Sequence, residues 1–361
     1  MTDLESHVAG LSFDDPQPFL VLADALQAEQ DPWGELIALQ CAGKTELAEA
    51  LIAKYQFAGA LSCEWKYGFV KTVTIAPALD DTDLELALQA FLALPVARLC
   101  DGIVLSPLRS ELATTREAFD SHNQIIRPYA KPASLFAAIP ARITRISFGV
   151  WPARPVAAFT AMPRFSDITS SFQRVTELCL VGSDDGAGDA GTPLSLPQCT
   201  HLALHCAELN ETTIEALRAS ELPLLAALTI SMGGSCNCIL DDVYPPFDRS
   251  DDYPETYSAS DLEGLNTDGI SGFFERSIGI LGECTFPALR HLDLSDSMLD
   301  AEAIKQLSAI PWLNQLTTLT LARCDLDPTK LAPLAKKKSR TKLDEASANP
   351  GFFMRYVGTM E

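Results

Sequence analysis

His201, His205, His291, Asp293 and Ser295 are the residue types from which metal centres and hydrolytic triads are built. Imidazoles ligate borderline cations, and a Ser–His–Asp set activates a hydroxyl for acyl transfer. Spacing argues against both chemistries. On a strand, His201 and His205 stand about 13 Å apart. His201 and His291 share a row two strands apart, which is about 10 Å. Tetrahedral zinc holds every donor within about 2.3 Å of the ion. His291, Asp293 and Ser295 alternate along one strand at about 7 Å, whereas a triad needs contacts of about 3 Å. No G-x-S-x-G turn is present. Cys236-Asn237-Cys238 is a lone C-x-C pair, with Cys284 as a third thiol and no second pair. The acidic stretch Ser183–Asp189 departs from the calcium-loop pattern, and the glycines from Gly186 to Gly191 have no following Gly-Lys-Ser/Thr for phosphate. No catalytic residue, cofactor or metal site is therefore expected.

The elements that position these residues follow from a recurring pattern. Leu289-x-x-Leu292-x-Leu294 returns as Ile143-x-x-Ile146-x-Phe148, Val175-x-x-Leu178-x-Leu180, Leu225-x-x-Leu228-x-Ile230 and Leu316-x-x-Leu319-x-Leu321. Eight strand slots end at Ile75, Leu105, Phe148, Leu180, Leu204, Ile230, Leu294 and Leu321. Most gaps run from 24 to 32 residues, which suits one strand and one return per unit. Helical returns are expected at Thr82–Leu94, Ala133–Ile139, Thr212–Ala219 and Ala301–Ile310. The fold class expected is α/β: a leucine-rich-repeat solenoid with a curved parallel sheet and helices on its convex side. Residues 65–335 form about eight such repeats, interrupted by an acidic insertion near 232–280. A helical cap over residues 1–64 precedes them, and a basic tail, 336–361, follows.

A solenoid displays a broad surface rather than a pocket. The residues between apolar slots line its open face. One row reads Thr72, Gly102, Arg145, Glu177, His201, Ala227, His291, Thr318; the next includes Cys179, Thr229 and Asp293; a third includes Val181, His205, Ser231 and Ser295. Partner contacts are expected at Arg145, Glu177, His201, His205, His291 and Asp293. The insertion adds Tyr253 and Tyr257, because Arg and aromatic side chains carry much interface energy. The function expected is non-catalytic protein–protein interaction. The alternative is an enzyme or substrate-recognition subunit that uses the insertion as a lid.

Composition narrows the partner. The net charge of −21 opposes binding to phosphate backbones. The basic run is Lys336-Lys337-Lys338-Ser339-Arg340-Thr341-Lys342. No apolar run is long enough to span a bilayer, and Met1-Thr2-Asp3-Leu4-Glu5 lacks the build of a secretion signal. A cytoplasmic protein partner is expected, with no nucleic acid and no membrane. The ten cysteines are then expected as reduced thiols.

The N-terminal segment has its own texture. Asp15-Pro16 and Asp31-Pro32 are helix starts, each with a capping acid and a proline in the first turn. A third helix fits Thr45 to Tyr55. The run Phe19-Leu20-Val21-Leu22-Ala23-Asp24-Ala25-Leu26, then Asp31-Pro32-Trp33-Gly34-Glu35-Leu36-Ile37-Ala38-Leu39-Gln40, resembles the bacterial repeat-companion domain. Trp65-Lys66-Tyr67-Gly68-Phe69-Val70 resembles that family's entry into its first strand. Leu22 and Ala25 stand where the family usually has Tyr and Trp. The resemblance implies a cap ahead of leucine-rich repeats and implies no activity.

Overall fold

The computed structural model describes residues 8, 11–53, 61–75, 84–106, 132–149, 162–182, 192–206, 211–232, 268–295, 297, 299, 301–322, 324, 331 and 334. Tyr253, Tyr257, Cys236, Cys238, the Ser183–Asp189 stretch, the insertion from 233 to 267 and the tail from 336 lie outside the described residues. The fold is mixed α/β, and its strands are mostly parallel. The chain divides into two compact units: Met1–Arg109 with Ser134–Ser147, and Ser110–Ala133 with Phe148–Glu361.

The first unit opens with α1 (Gln17–Ala28), α2 (Pro32–Cys41) and α3 (Thr45–Ile52). Asp31 caps α2 as expected, whereas Pro16 takes the N-cap position of α1 and Asp15 stands one residue before it. Asp15 Oδ1 accepts the Gln17 N–H at 2.9 Å, and Asp31 Oδ1 accepts the Trp33 N–H at 2.9 Å. These bonds satisfy donors that a first turn leaves orphaned. Strand β1 (Leu61–Lys66) then pairs antiparallel with β2 (Phe69–Ile75). The cap's helices thus end before a hairpin that begins at Leu61, earlier than the expected strand entry. Tyr67 and Gly68 form its two-residue turn, with φ of 51° and 80°. Two positive values are the type I′ geometry that matches strand twist. A Cβ on Gly68 would collide with Ile37 Cγ1. Trp33 Nε1 donates to Gly68 O at 2.7 Å, and Gly68 N donates to Gln40 Oε1 at 2.6 Å. The residues that carry the family resemblance therefore clamp one another. Phe19, Trp33 and Phe69 complete this core, with the Phe19 and Trp33 ring centroids 5.8 and 4.9 Å from that of Phe69. Strand β2 pairs parallel with β3 (Gly102–Leu105), and β4 (Arg145–Phe148) follows, with α4 (Leu84–Leu92) and α5 (Pro132–Ala138) among the connections.

In the second unit, β5 (Glu177–Gly182), β6 (His201–Cys206), β7 (Ala227–Met232), β8 (His291–Asp293) and β9 (Thr318–Thr320) pair in chain order, all parallel. The leucines of each strand are buried: Leu178, Leu180, Leu202, Leu204, Leu228, Leu292 and Leu319. Each contributes about 1.5–3 kcal/mol by leaving water. Returns expected as helices are present as α7 (Glu211–Arg218) and α9 (Ala301–Ala309). Two elements were not expected. Helix α6 (Phe165–Ser171) precedes β5. Helix α8 (Asp268–Glu283) occupies the end of the supposed insertion and packs between α7 and α9, with Ile278 and Leu281 buried. The insertion boundary near 280 is corrected accordingly.

One backbone bond recurs across both units. In seven of the eight motifs, all but the one that opens at Val70, the N–H of the first apolar residue donates to the carbonyl three residues earlier. The pairs are Cys100 to Ala97, Ile143 to Pro140, Val175 to Phe172, Cys199 to Leu196, Leu225 to Leu222, Leu289 to Phe286 and Leu316 to Leu313. Among the described residues, no helix is long and apolar enough to cross a membrane.

Candidate binding face

The expected rows are real registers. Glu177, His201, Ala227, His291 and Thr318 lie side by side on β5 to β9. Cys179, Ala203, Thr229, Asp293 and Thr320 form the adjacent row. Neighbours within a row stand about 4.8 Å apart. Glu177, His201 and His291 are exposed, and Asp293 is half-buried. Their environments differ in detail. His201 Nδ1 meets Thr200 Oγ1 at 2.9 Å, and His291 Nδ1 meets Thr318 Oγ1 at 2.7 Å. Asp293 Oδ1 accepts the Ser295 N–H at 2.8 Å. That bond ties the carboxylate to the end of its own strand.

His205 is a correction. It was expected on the open face, yet only 8% of it is accessible. Its Nδ1 meets Ser231 Oγ at 3.0 Å. Val181, Ser231 and Ser295 of the same row are buried as well. The alternation of faces stops where the strands end: Val181 and Gly182 are both buried, as are His205 and Cys206. The third row is thus an internal edge, and its polar groups bond to one another. Ser297 belongs to this edge and donates to Ile230 O at 3.3 Å, while Cys324 Sγ reaches Leu294 O at 3.2 Å. Both residues stand three places after the last apolar slot of their motif, and both bind the carbonyl of the preceding strand's last slot.

Arg145 belongs to the first unit and is already engaged. Its Nη2 donates to Thr72 Oγ1 at 3.0 Å and pairs with Asp101 Oδ1. Gly102 lies between Arg145 and Thr72 in the row. A Cβ there would sit 2.9 Å from Thr72 Oγ1 and 3.2 Å from Arg145 Nη2. The bare glycine is what lets the guanidinium cross β3. Lys71 extends the cluster with an ion pair to Glu64 at 3.3 Å. Burial alone would raise the Glu64 carboxyl. Hydrogen bonds from Thr72 and Lys71, with the charges of Lys71 and Arg145, outweigh it and hold the carboxyl below its ordinary value.

The row patterns did not point to Asp101, Glu64, Thr200 or the Thr318 hydroxyl as partners of the face residues. Asp101 and Thr200 each immediately precede a first-row position, which was the available signal.

Thiol chemistry is not prominent. Cys100 and Cys199 are buried, and each Sγ donates to a carbonyl two residues on, Gly102 O and His201 O, at 3.2 Å. Burial pushes the thiols of Cys100, Cys199 and Cys284 up to about 12 and that of Cys63 to about 11. Such groups remain protonated and unreactive at neutral pH. A groove of about 730 Å³ lies in the first unit between α3 and β1, lined by Gln40, Ala48, Glu49, Ile52, Leu61 and Trp65 among others. It contains none of the expected site residues. Among the described residues, no group of three or more His, Cys, Asp or Glu side chains is placed to hold a metal ion.

No known family matches the chain, and no curated protein matches it. Among solved structures, a Bacteroides fragilis protein determined by a structural genomics consortium is similar at 14% identity. The match covers 86% of this chain and 84% of that chain, with a TM-score of 0.43.

Proposed function

We propose that this chain is a leucine-rich-repeat protein acting as a non-catalytic interaction module. The observation that carries this reading is the in-register row Glu177, His201, Ala227, His291 and Thr318 on five parallel strands. A row of this kind offers a partner hydrogen-bonding groups of defined spacing on a stiff backbone. The repeat assignment draws support from the recurring turn bond and from the matched roles of Ser297 and Cys324. The partner is a protein, contacted through Glu177, His201, His291 and Asp293. The acidic insertion, with Tyr253 and Tyr257, supplies a second contact. Arg145 is a weaker anchor than its position suggested, because Asp101 and Thr72 already hold it.

The test is affinity capture from native extract followed by titration of the captured partner. The pair His201→Glu and His291→Glu should weaken binding by more than about tenfold if these side chains contribute roughly 2 kcal/mol. Val21→Glu, at a position 64% exposed on α1, is the control. Equal affinity for both variants rules the face out. Deletion of residues 236–264 tests the insertion while sparing α8, whose buried Ile278 a longer deletion would threaten.

A further inference from the structure

Strand β1 stands at one end of the sheet, and among the described residues it pairs only with β2. In an antiparallel pair, every second residue turns its N–H and C=O away from the partner strand. An edge of this kind is a template for another main chain. The register shifts between Glu64 and Trp65, so the regular stretch is Leu61–Glu64. Side chains alternate along the strand. Ser62 and Glu64 are exposed, whereas Leu61, Cys63 and Trp65 are half-buried and line the groove of about 730 Å³. The opposite wall is one stripe of α3: Thr45, Ala48, Glu49 and Ile52, at the spacing of a single helix face. The groove is thus bounded by an edge strand and a helix. Its volume falls in the range of about 300–1,000 Å³ found for ligand clefts.

Charge narrows the occupant. Lys66 is the basic residue of the lining, and its Nζ is held over the rings of Phe13 and Tyr67, 5.9 and 5.3 Å from their centroids. Glu49 is exposed on the opposite wall and has no ion pair among the described residues. From this arrangement we infer that the groove takes an extended segment of another protein, apolar at alternate positions and carrying a Lys or Arg. The segment adds a strand to β1 along Leu61–Glu64. Its apolar side chains enter between β1 and Ile52, and its basic group meets Glu49. In strand addition, main-chain bonds supply affinity and the spaces for alternate side chains supply specificity. A second copy of this chain fits less well. Its β1 would bring Glu64, already paired with its own Lys71, and each copy carries a net charge of −21. The site shares no residue with the row on β5 to β9.

The experiment is selection of phage-displayed random octapeptides on the full chain, followed by fluorescence anisotropy of the best sequence as a synthetic peptide. Selected sequences should alternate apolar and polar residues and contain Lys or Arg. Hydrogen exchange should show added protection of the Leu61–Glu64 amides when the peptide binds. Methylating the peptide's backbone nitrogens at alternate positions should abolish binding in one phase and spare it in the other. Ile52→Glu should weaken the peptide by more than about tenfold, and Glu49→Lys by about tenfold through like charge. Glu46→Lys lies exposed on the same helix and outside the groove lining, and should leave affinity within about twofold despite the same change in net charge. Circular dichroism melts check the fold of each variant, and Glu49→Lys, at an exposed position, keeps the test open if Ile52→Glu unfolds the cap. Selected peptides without alternation, equal affinity for the parent and the groove variants, or no added protection in β1 overturns the inference. A dimer in sedimentation that Glu49→Lys or Ile52→Glu dissolves also overturns it, since a second copy then holds the edge. The His201→Glu/His291→Glu variant should bind the peptide as the parent does, so failure here and failure of the open-face reading are told apart.

Discussion

Arg145 shows how one missing Cβ sets the chemistry of its neighbours. Its guanidinium reaches Thr72 because Gly102, lying between them, has no side chain. All three atoms that an added methyl would meet, two of Thr72 and one of Arg145, belong to side chains, so Gly102→Ala shifts the side chains and leaves the backbone in place. The substitution gains chain entropy of about 0.4–1 kcal/mol and loses a hydrogen bond worth about 0.5–1.5 kcal/mol. Net stability is therefore a poor readout, and coupling is a good one. In the parent, Thr72→Val and Arg145→Ala should couple by about 0.5–1.5 kcal/mol in urea unfolding. In the Gly102→Ala background that coupling should vanish. Its persistence would mean that the guanidinium does not cross at Gly102. The Asp101 pair is partly exposed, 26% on the Arg145 side and 39% on the acid. Its own coupling should therefore stay below about 1 kcal/mol.

The β1–β2 hairpin behaves as a unit locked by the cap. Gly68 has φ of 80°, and a Cβ would collide with Ile37. Strain at such a position costs about 1–3 kcal/mol. Gly68→Ala should lower the unfolding free energy by at least that amount, read as a shift in the urea midpoint at constant slope. A shift under about 0.5 kcal/mol would contradict the clamp by Trp33 and Gln40. Elements of this kind were legible in the sequence where the signal is local. Asp31-Pro32 and the three-slot apolar motif each specify a cap or a strand without help from distant residues. Register followed, because each strand starts at the same offset from its turn. Helix α8 was hidden because acidic residues around Ile270, Phe273 and Ile278 read as a solvated loop, and only packing against α7 and α9 reveals a return helix. His205 was misplaced because alternation was carried past the point where the strand ends. For Arg145, a row of letters shows which residues are neighbours and leaves open which of them the guanidinium binds.

The whole chain carries 48 acidic residues against 27 Lys and Arg. Among the described residues, basic groups are spent on local acids: Lys71 on Glu64, Arg218 on Glu215 and Glu283, Arg276 on Glu211, Lys305 on Glu302. Added salt acts on two terms of opposite sign. It screens these pairs, which destabilises, and it screens repulsion among the surplus carboxylates, which stabilises. The pairs are exposed and short-range, and exposed pairs contribute little each. The repulsion is summed over a net charge of −21 and is long-range at low ionic strength. Its reach falls from about 30 Å at 0.01 M to about 8 Å at 0.15 M. The repulsive term should therefore win. Thermal unfolding in NaCl should move up by a few degrees across that interval, since each 1 kcal/mol corresponds to about 2–4 °C or less at this size. The gain should saturate above about 0.3 M, where the screening length is already shorter than the spacing of surface charges. A melting temperature that falls over the same range would show that the local pairs, and not the charge surplus, govern the stability of this protein.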